Sequence, residues 1–309
     1  MKEKRIVTFS LSLLVLVFFF GKSIPVSAAS TDNTNEQNKT NVTEEKNNRV
    51  PKTDSKNNSD STQNNEKQGW VTENGQTHYY KLGKKLTGLK IIDNSYYLFN
   101  KDGVRLSGVR KTPHQSTYSY YGEDGKRIES TIATPKAYYW IKQGKITGIK
   151  NMVKVISQRP QLPTGCEMTA VTMMLNFAGV KISKTQVANM TPRSSNPNKG
   201  FIGSPYKKYP QGYWVAPNGI KNVVTKCLGT SKVMTGASLK SIKNKLLHSH
   251  PVVVWVAGID GFSNHALTLT GYQNDYLYYN DPWTGKKSSI STNSFMEHWR
   301  ANEYRALSY

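Results

Sequence analysis

Two cysteines in 309 residues, Cys166 and Cys227, are too few for a fold held together by disulfides, so the chain must rest on an ordinary apolar core. Also lacking is any run of five or more Lys/Arg, although Lys+Arg number 42 against Asp+Glu 20 and the formal net charge is +22. Basic residues spread along the whole chain do not make a dedicated nucleic-acid patch, and no nucleic acid is expected as a partner. The charge excess still draws the protein toward other polyanions, among them anionic lipid and phosphate-rich wall polymers. Neither a phosphate-cradling glycine loop nor a metal-ligand spacing occurs, so no cofactor and no metal is expected. No apolar run reaches the ~20 residues that span a bilayer.

What is present falls into four textures. Lys2, Lys4 and Arg5 precede an apolar stretch at 10–20, and Val26-Ser27-Ala28-Ala29 offers small residues for cleavage. That order reads as a signal peptide over 1–29, hence a secreted or extracellular protein with no transmembrane anchor after cleavage. Residues 30–67 are nearly all Asn, Thr, Ser, Lys, Glu, Asp and Gln, with Val42 and Val50 as the only large apolar residues. Such a stretch cannot bury enough surface to offset its ordering entropy and is expected to be a disordered spacer.

Residues 68–150 carry a β-hairpin repeat. Leu86-Thr87-Gly88 recurs 20 residues later as Leu106-Ser107-Gly108, and Ile146-Thr147-Gly148 follows 40 residues after that. Aromatic pairs (Tyr79-Tyr80, Tyr96-Tyr97, Tyr120-Tyr121, Tyr138-Tyr139) accompany glycine turns such as Lys101-Asp102-Gly103 and Glu123-Asp124-Gly125. A short fixed period of this kind predicts hairpins that lean on their neighbours. The Gly69-Trp70, Tyr-Tyr and Thr87-Gly88 steps resemble the cell-wall-binding repeats of choline- and glucan-binding surface proteins. The resemblance implies a cell-wall polymer or polysaccharide partner. Only Trp70 and Trp140 remain of the several tryptophans those families use for ligand cages, a departure that bears on choline in particular.

Residues 153–309 have the texture of a compact α+β domain. Thr164 and Glu167 stand three apart before the apolar positions Ala170, Val171, Met174, Leu175 and Ala178, which predicts a capping box and an amphipathic helix stopping at Gly179. Cys166 then falls in the first helical turn, where free N–H groups and the helix dipole favour a thiolate. Cys227, beside Val223 and Val224 on a helix face, reads as structural. Of six histidines, His265 follows the loop Gly261-Phe262-Ser263-Asn264 and opens the strand Ala266-Leu267-Thr268-Leu269, a suitable mouth for a catalytic base. An antiparallel return through Tyr276-Leu277-Tyr278-Tyr279 brings Asp281 back beside it, with Asn280 as the alternative acceptor.

The order Cys166, His265, Asp281 is that of papain-like enzymes. Leu162-Pro163-Thr164-Gly165-Cys166-Glu167, Asn264-His265-Ala266-Leu267 and Asn280-Asp281-Pro282-Trp283-Thr284-Gly285 resemble the secreted papain-fold peptidases related to bacteriocin-processing peptidases. The resemblance implies a papain-like α+β fold and a cysteine peptidase or amidase acting on a peptide or protein substrate. It also implies Cys166, His265 and Asp281 as triad, with Gln158 as oxyanion donor and Gln161 as its rival. Two other readings stay open: a non-catalytic surface protein keeping the fold, and a peptidoglycan amide hydrolase.

Overall fold

Two-residue turns with positive φ at both positions close several of the hairpins in the computed structural model, which describes residues 66–209 and 213–309. Asn74-Gly75 (φ 51° and 74°), Asp93-Asn94 (47° and 57°) and Gln143-Gly144 (51° and 71°) match the right-handed twist of the strands they join. The signal peptide expected at 1–29 and almost all of the spacer expected at 30–67 lie outside the described residues.

The array begins with β1 (Gly69–Glu73), β2 (Gln76–Lys81) and β3 (Lys84–Lys85) in one sheet. The pairs β4 (Gly88–Ile92) with β5 (Ser95–Phe99) and β6 (Gly108–Lys111) with β7 (Tyr118–Tyr121) follow. Successive hairpins are tied through the backbone: Arg105 N–H donates to Thr77 O, and Arg127 N–H to Tyr96 O, both at 2.8 Å. The side chains repeat the same step. Arg105 lies across Gly125 of the next turn, and Arg127 across Gly144 of the one after.

Gly125 is thus bare for two reasons. Its φ is +77°, and a Cβ there would stand 2.4 Å from Arg105 Cδ. Gly125→Ala is expected to lower stability by about 1–3 kcal/mol through strain and displaced packing. Gly125→Asn tolerates the positive φ but still adds the Cβ, so it should lose nearly as much. Urea unfolding of the two variants beside wild type checks this.

Next come β8 (Ser130–Ala133), β9 (Ala137–Lys142), β10 (Lys145–Asn151), α1 (Cys166–Phe177), α2 (Lys184–Met190) and α3 (Pro217–Leu228). They are followed by β11 (Lys232–Val233), α4 (Leu239–Leu247), β12 (Val252–Val256), β13 (His265–Gln273) and β14 (Tyr276–Asp281). The last elements are β15 (Lys286–Ser291), α5 (Thr292–Arg300) and β16 (Ala306–Ser308). A nine-stranded sheet runs β11-β16-β12-β13-β10-β9-β8, with β14 on the other edge of β13 and β15 beyond it. Its pairings are antiparallel, so the domain is α+β.

Helix α1 packs against the face carrying Val253, Trp255, Ala266 and Leu307. The opposite face, with Val252, Val254, Val256, Leu267 and Leu269, receives α4 and α5 through Ile242, Leu246, Phe295 and Trp299. The alternation 253/255 against 252/254/256 is the two-residue period of a strand buried on both sides.

Strand β10 pairs with β13 through Gly148↔Gln273 and Lys150↔Gly271. A Cβ on Gly271 would stand 2.0 Å from Ile149 O, so glycine is what lets the two backbones meet. The change of domain expected between 150 and 153 therefore falls inside one hydrogen-bonded sheet that reaches back to Ser130. Among the described residues, no helix is long and apolar enough to cross a membrane.

Candidate active site

Cys166 is the first residue of α1, with Gly165 at the N-cap and no side-chain cap. The expected capping box does not form. Thr164 Oγ1 donates instead to Ser204 O (3.2 Å) and Lys207 O (3.0 Å). The Glu167 carboxylate turns inward and accepts from Val215 N–H at 3.1 Å and from the Cys166 thiol at 3.3 Å. Nor is α1 amphipathic: residues 166–175 are all buried, and the chain leaves the helix at Gly179, φ +102°.

The expected lowering of the thiol pKa by the helix terminus is overturned as well. Burial, and then the neighbouring Glu167 carboxylate, push the Cys166 thiol well above its usual range. The Ala266 and Glu167 backbone N–H groups pull less strongly the other way. Cys166 is 9% exposed and lines a cleft of about 530 Å³ together with Gln158, His265, Phe262 and Trp283.

His265 opens β13, and Asp281 closes β14. The imidazole Nε2–H donates to Asp281 Oδ1 at 2.8 Å, with both residues buried. Burial acts to raise the Asp281 carboxyl, but hydrogen bonds from His265 and Thr284 outweigh it and hold the group well below the carboxylate range. An ionised Asp281 can only accept, which assigns a proton to Nε2 and leaves proton exchange to Nδ1.

Asp281 is a turn former at the same time. Oδ1 accepts from Trp283 N–H (2.8 Å), and Oδ2 accepts from Thr284 N–H (3.3 Å) and Oγ1–H (2.6 Å). Asn280 points elsewhere, its Nδ2 donating to Val153 O at 3.1 Å. Phe262 shields the imidazole with ring centroids 5.2 Å apart and itself meets Trp283.

Gln158 is 3% exposed, and its Nε2 donates to Pro163 O at 2.9 Å, which sets the orientation of the amide. Gln161 is exposed and does not line the cleft. The Gln158 loop is gripped from two sides. Its N–H donates to Pro282 O (2.7 Å), and Lys184 of α2 donates to the carbonyls of Gln158 and Arg159 (3.0 and 3.2 Å). Cys227 lies half-buried on α3 and does not line the cleft.

Three participants escaped the sequence reading: Glu167, taken for a cap partner, Lys184, and Asp260. Asp260 Oδ2 stands 3.8 Å from His265 Nε2, at a residue with φ +51°. Burial and a hydrogen bond with Asp281 raise its pKa. The dipeptide Asp260-Gly261 is a turn signal that could have drawn attention to it. Asp260, His265 and Asp281 also have ligand atoms within 4.8 Å of one another, the one such group among the described residues. Both Asp281 oxygens are already engaged by hydrogen bonds, so the geometry is that of an oriented imidazole.

Burial pushes the Glu167 carboxyl up to about 7. Below that pH it is neutral beside the sulfur. Above it, a carboxylate accepts the thiol proton and repels a thiolate. Glu167→Gln removes the charge and keeps an acceptor for Val215 N–H. Alkylation of Cys166 by iodoacetamide should then be several-fold faster than in wild type above about pH 7, and similar below about pH 6. Coincident rate–pH curves would remove Glu167 from the titration of the thiol.

The family model described as Peptidase_C39 like matches residues 150–307, and that of the choline-binding repeat matches residues 86–131. YvpB, an uncharacterized protein of Bacillus subtilis (strain 168), is 27% identical over 172 residues, covering 46% of this chain and 67% of YvpB. The crystal structure of a candidate C39-like peptidase from Bacillus anthracis is 27% identical, with 51% of this chain and 94% of that one covered and a TM-score of 0.47. Choline binding protein F from Streptococcus pneumoniae is 19% identical, with 26% of this chain and 28% of that one covered and a TM-score of 0.24.

Proposed function

From the premise that this chain belongs to the Peptidase_C39 like family, matched over residues 150–307, we propose that it is a secreted thiol peptidase with Cys166, His265 and Asp281 as its triad. The observation that carries the proposal is the 2.8 Å His265–Asp281 hydrogen bond behind a cleft that holds both the imidazole and the sulfur.

A buried thiol of raised pKa ionises only when its proton has somewhere to go. Nδ1 of His265 is that acceptor, and the imidazolium formed keeps the Asp281 charge beside it. The thiolate attacks the acyl carbon of a peptide-type amide. The oxyanion takes hydrogen bonds from the Cys166 N–H and from Gln158 Nε2, whose second hydrogen is not used by Pro163. The imidazolium then protonates the leaving amine, and water activated by the same nitrogen releases the acyl group from the sulfur. A proteome-derived peptide library cut by wild type and left intact by Cys166→Ala tests the reading and defines the scissile bond. Parallel zymograms on wall material and on casein separate a peptidoglycan amide hydrolase from a protein-cleaving enzyme.

Attachment to the envelope falls to the repeats. Trp70 packs against Tyr79 and Tyr97 (centroids 5.0 and 4.9 Å), and the Arg105 guanidinium stands 5.6 Å from the Trp70 ring. This aromatic cluster already holds a cation of the protein's own. Trp140 stacks on Tyr278 of β14. The ligand in this reading is therefore a wall polymer or polysaccharide rather than a bare quaternary amine. Deleting 69–107 spares β8 to β10, which the catalytic sheet needs. It should weaken retention on purified walls at least tenfold while leaving thiol labelling intact; unchanged retention would overturn the attachment.

A further inference from the structure

Where the third hairpin meets the catalytic domain, a cleft of about 580 Å³ is lined by four lysines and no carboxylate. Lys232 comes from β11, and Lys240, Lys243 and Lys245 come from α4. The turn joining β6 to β7 contributes the hydroxyls of Ser116 and Thr117 from the other side. Burial of Ile242, Leu246 and Leu247 against the core sets the lysines between them at the surface.

The cleft is preformed. Tyr118 O–H donates to Asn244 Oδ1 at 3.0 Å and fixes the hairpin to α4. The Lys243 ammonium lies 5.2 Å from the centre of the Tyr272 ring, and Lys245 donates to the Tyr309 main-chain oxygen. Gathering like charges here has a cost. Burial, and then repulsion from Lys232, lower the Lys245 pKa. Positive charge gathered in a shaped cleft with no Asp or Glu in its lining is what a bound anion would further relieve.

We infer that this cleft binds successive phosphate groups of a phosphodiester-linked polyol polymer, so that the catalytic domain and the repeats grip one envelope strand together. The inference rests on the envelope-attachment reading and adds the charge and the place of the ligand. Four ammonium groups exceed what a single phosphodiester neutralises, which favours a chain of them. The aromatic rings nearby are already engaged, Tyr118 by His248 (ring centroids 5.5 Å apart) and Tyr272 by Lys243, which disfavours them as a stacking platform for nucleic-acid bases.

The test uses the full mature chain and fluorescently labelled poly(glycerol phosphate), titrated at several salt concentrations. Lys240→Gln/Lys243→Gln should bind at least tenfold more weakly at low salt, with the slope of log K against log salt reduced by about one to two. Lys181→Gln/Lys199→Gln, which removes the same charge from exposed positions that line neither this cleft nor that of Cys166, should bind within about twofold of wild type. Iodoacetamide labelling of Cys166, unchanged in both variants, reports that the fold is intact.

Wild-type affinity in the α4 variant, or an equal loss in the control pair, would overturn the cleft as the site. Inorganic phosphate competing as well as the polymer at equal phosphate concentration would overturn the polymer as the ligand. Failure here with wall retention still dependent on 69–107 would leave the attachment reading standing; loss of that dependence would remove it separately.

Discussion

Cys166→Ala is expected to lower amide hydrolysis by at least about a thousandfold and to abolish iodoacetamide labelling at that position. Among the described residues, Cys166 is the one thiol that lines the cleft. Cys227 is half-buried on α3, its thiol pKa is raised by burial, and it does not line the cleft. Residual turnover in the variant would be limited to what the Cys166 N–H and Gln158 can do for an attacking water. A fluorogenic peptide assay paired with mass-spectrometric mapping of the label checks both readouts. Undiminished hydrolysis by the alanine variant, or labelling confined to Cys227 in wild type, would remove Cys166 from the mechanism. Cys227→Ser should change neither.

The second large effect separates two carboxylates that flank one imidazole nitrogen. Asp281→Asn should cost about a hundredfold or more in kcat/KM, whereas Asp260→Asn should cost less than about tenfold. Asp281 accepts from His265 and Trp283 on one oxygen and from Thr284 on the other, so an amide in its place sets an NH₂ group against donors on one side. The imidazolium also loses its adjacent charge. Asp260 stands farther away, at 3.8 Å, and its side chain is 28% exposed, so water can replace its charge. Equal losses in the two variants would mean that the pair acts as one unit; circular dichroism of both keeps misfolding apart from mechanism.

Local signals in the chain carried much of this. The turn pairs at 74–75 and 93–94 and the glycines at 103 and 125 mark hairpins because positive φ is a property of one or two residues. The place of Cys166 in the first turn of α1 was legible because Pro163-Thr164-Gly165 ends one kind of backbone before an apolar run begins another. The hairpin that returns Asp281 to His265 follows from two strands and a short turn. Where the reading departed, the missing information lay far away in sequence. Thr164 and Glu167 have capping-box spacing, yet Ser204 and Lys207 hold the hydroxyl and Val215 holds the carboxylate. Ile146-Thr147-Gly148 has the look of one more repeat, and β13, more than 120 residues on, takes it into the catalytic sheet.

The choice between Gln158 and Gln161 shows the same division. Both precede Cys166 in one loop, and no local pattern says which amide faces the sulfur; Lys184 and Pro282, from other elements, hold the loop so that Gln158 is buried and Gln161 is not. The amino-acid order alone determined the hairpin array, the α+β class and the types of side chain available for acyl chemistry, since turns, periodicity and helix starts are decided within a few residues. Only the folded chain decided the electrostatics: a thiol raised by burial and then by Glu167, an imidazole nitrogen beside two aspartates, and four lysines around one cleft. Burial and charge separation depend on what the whole chain brings within a few ångströms, and no window of sequence contains that.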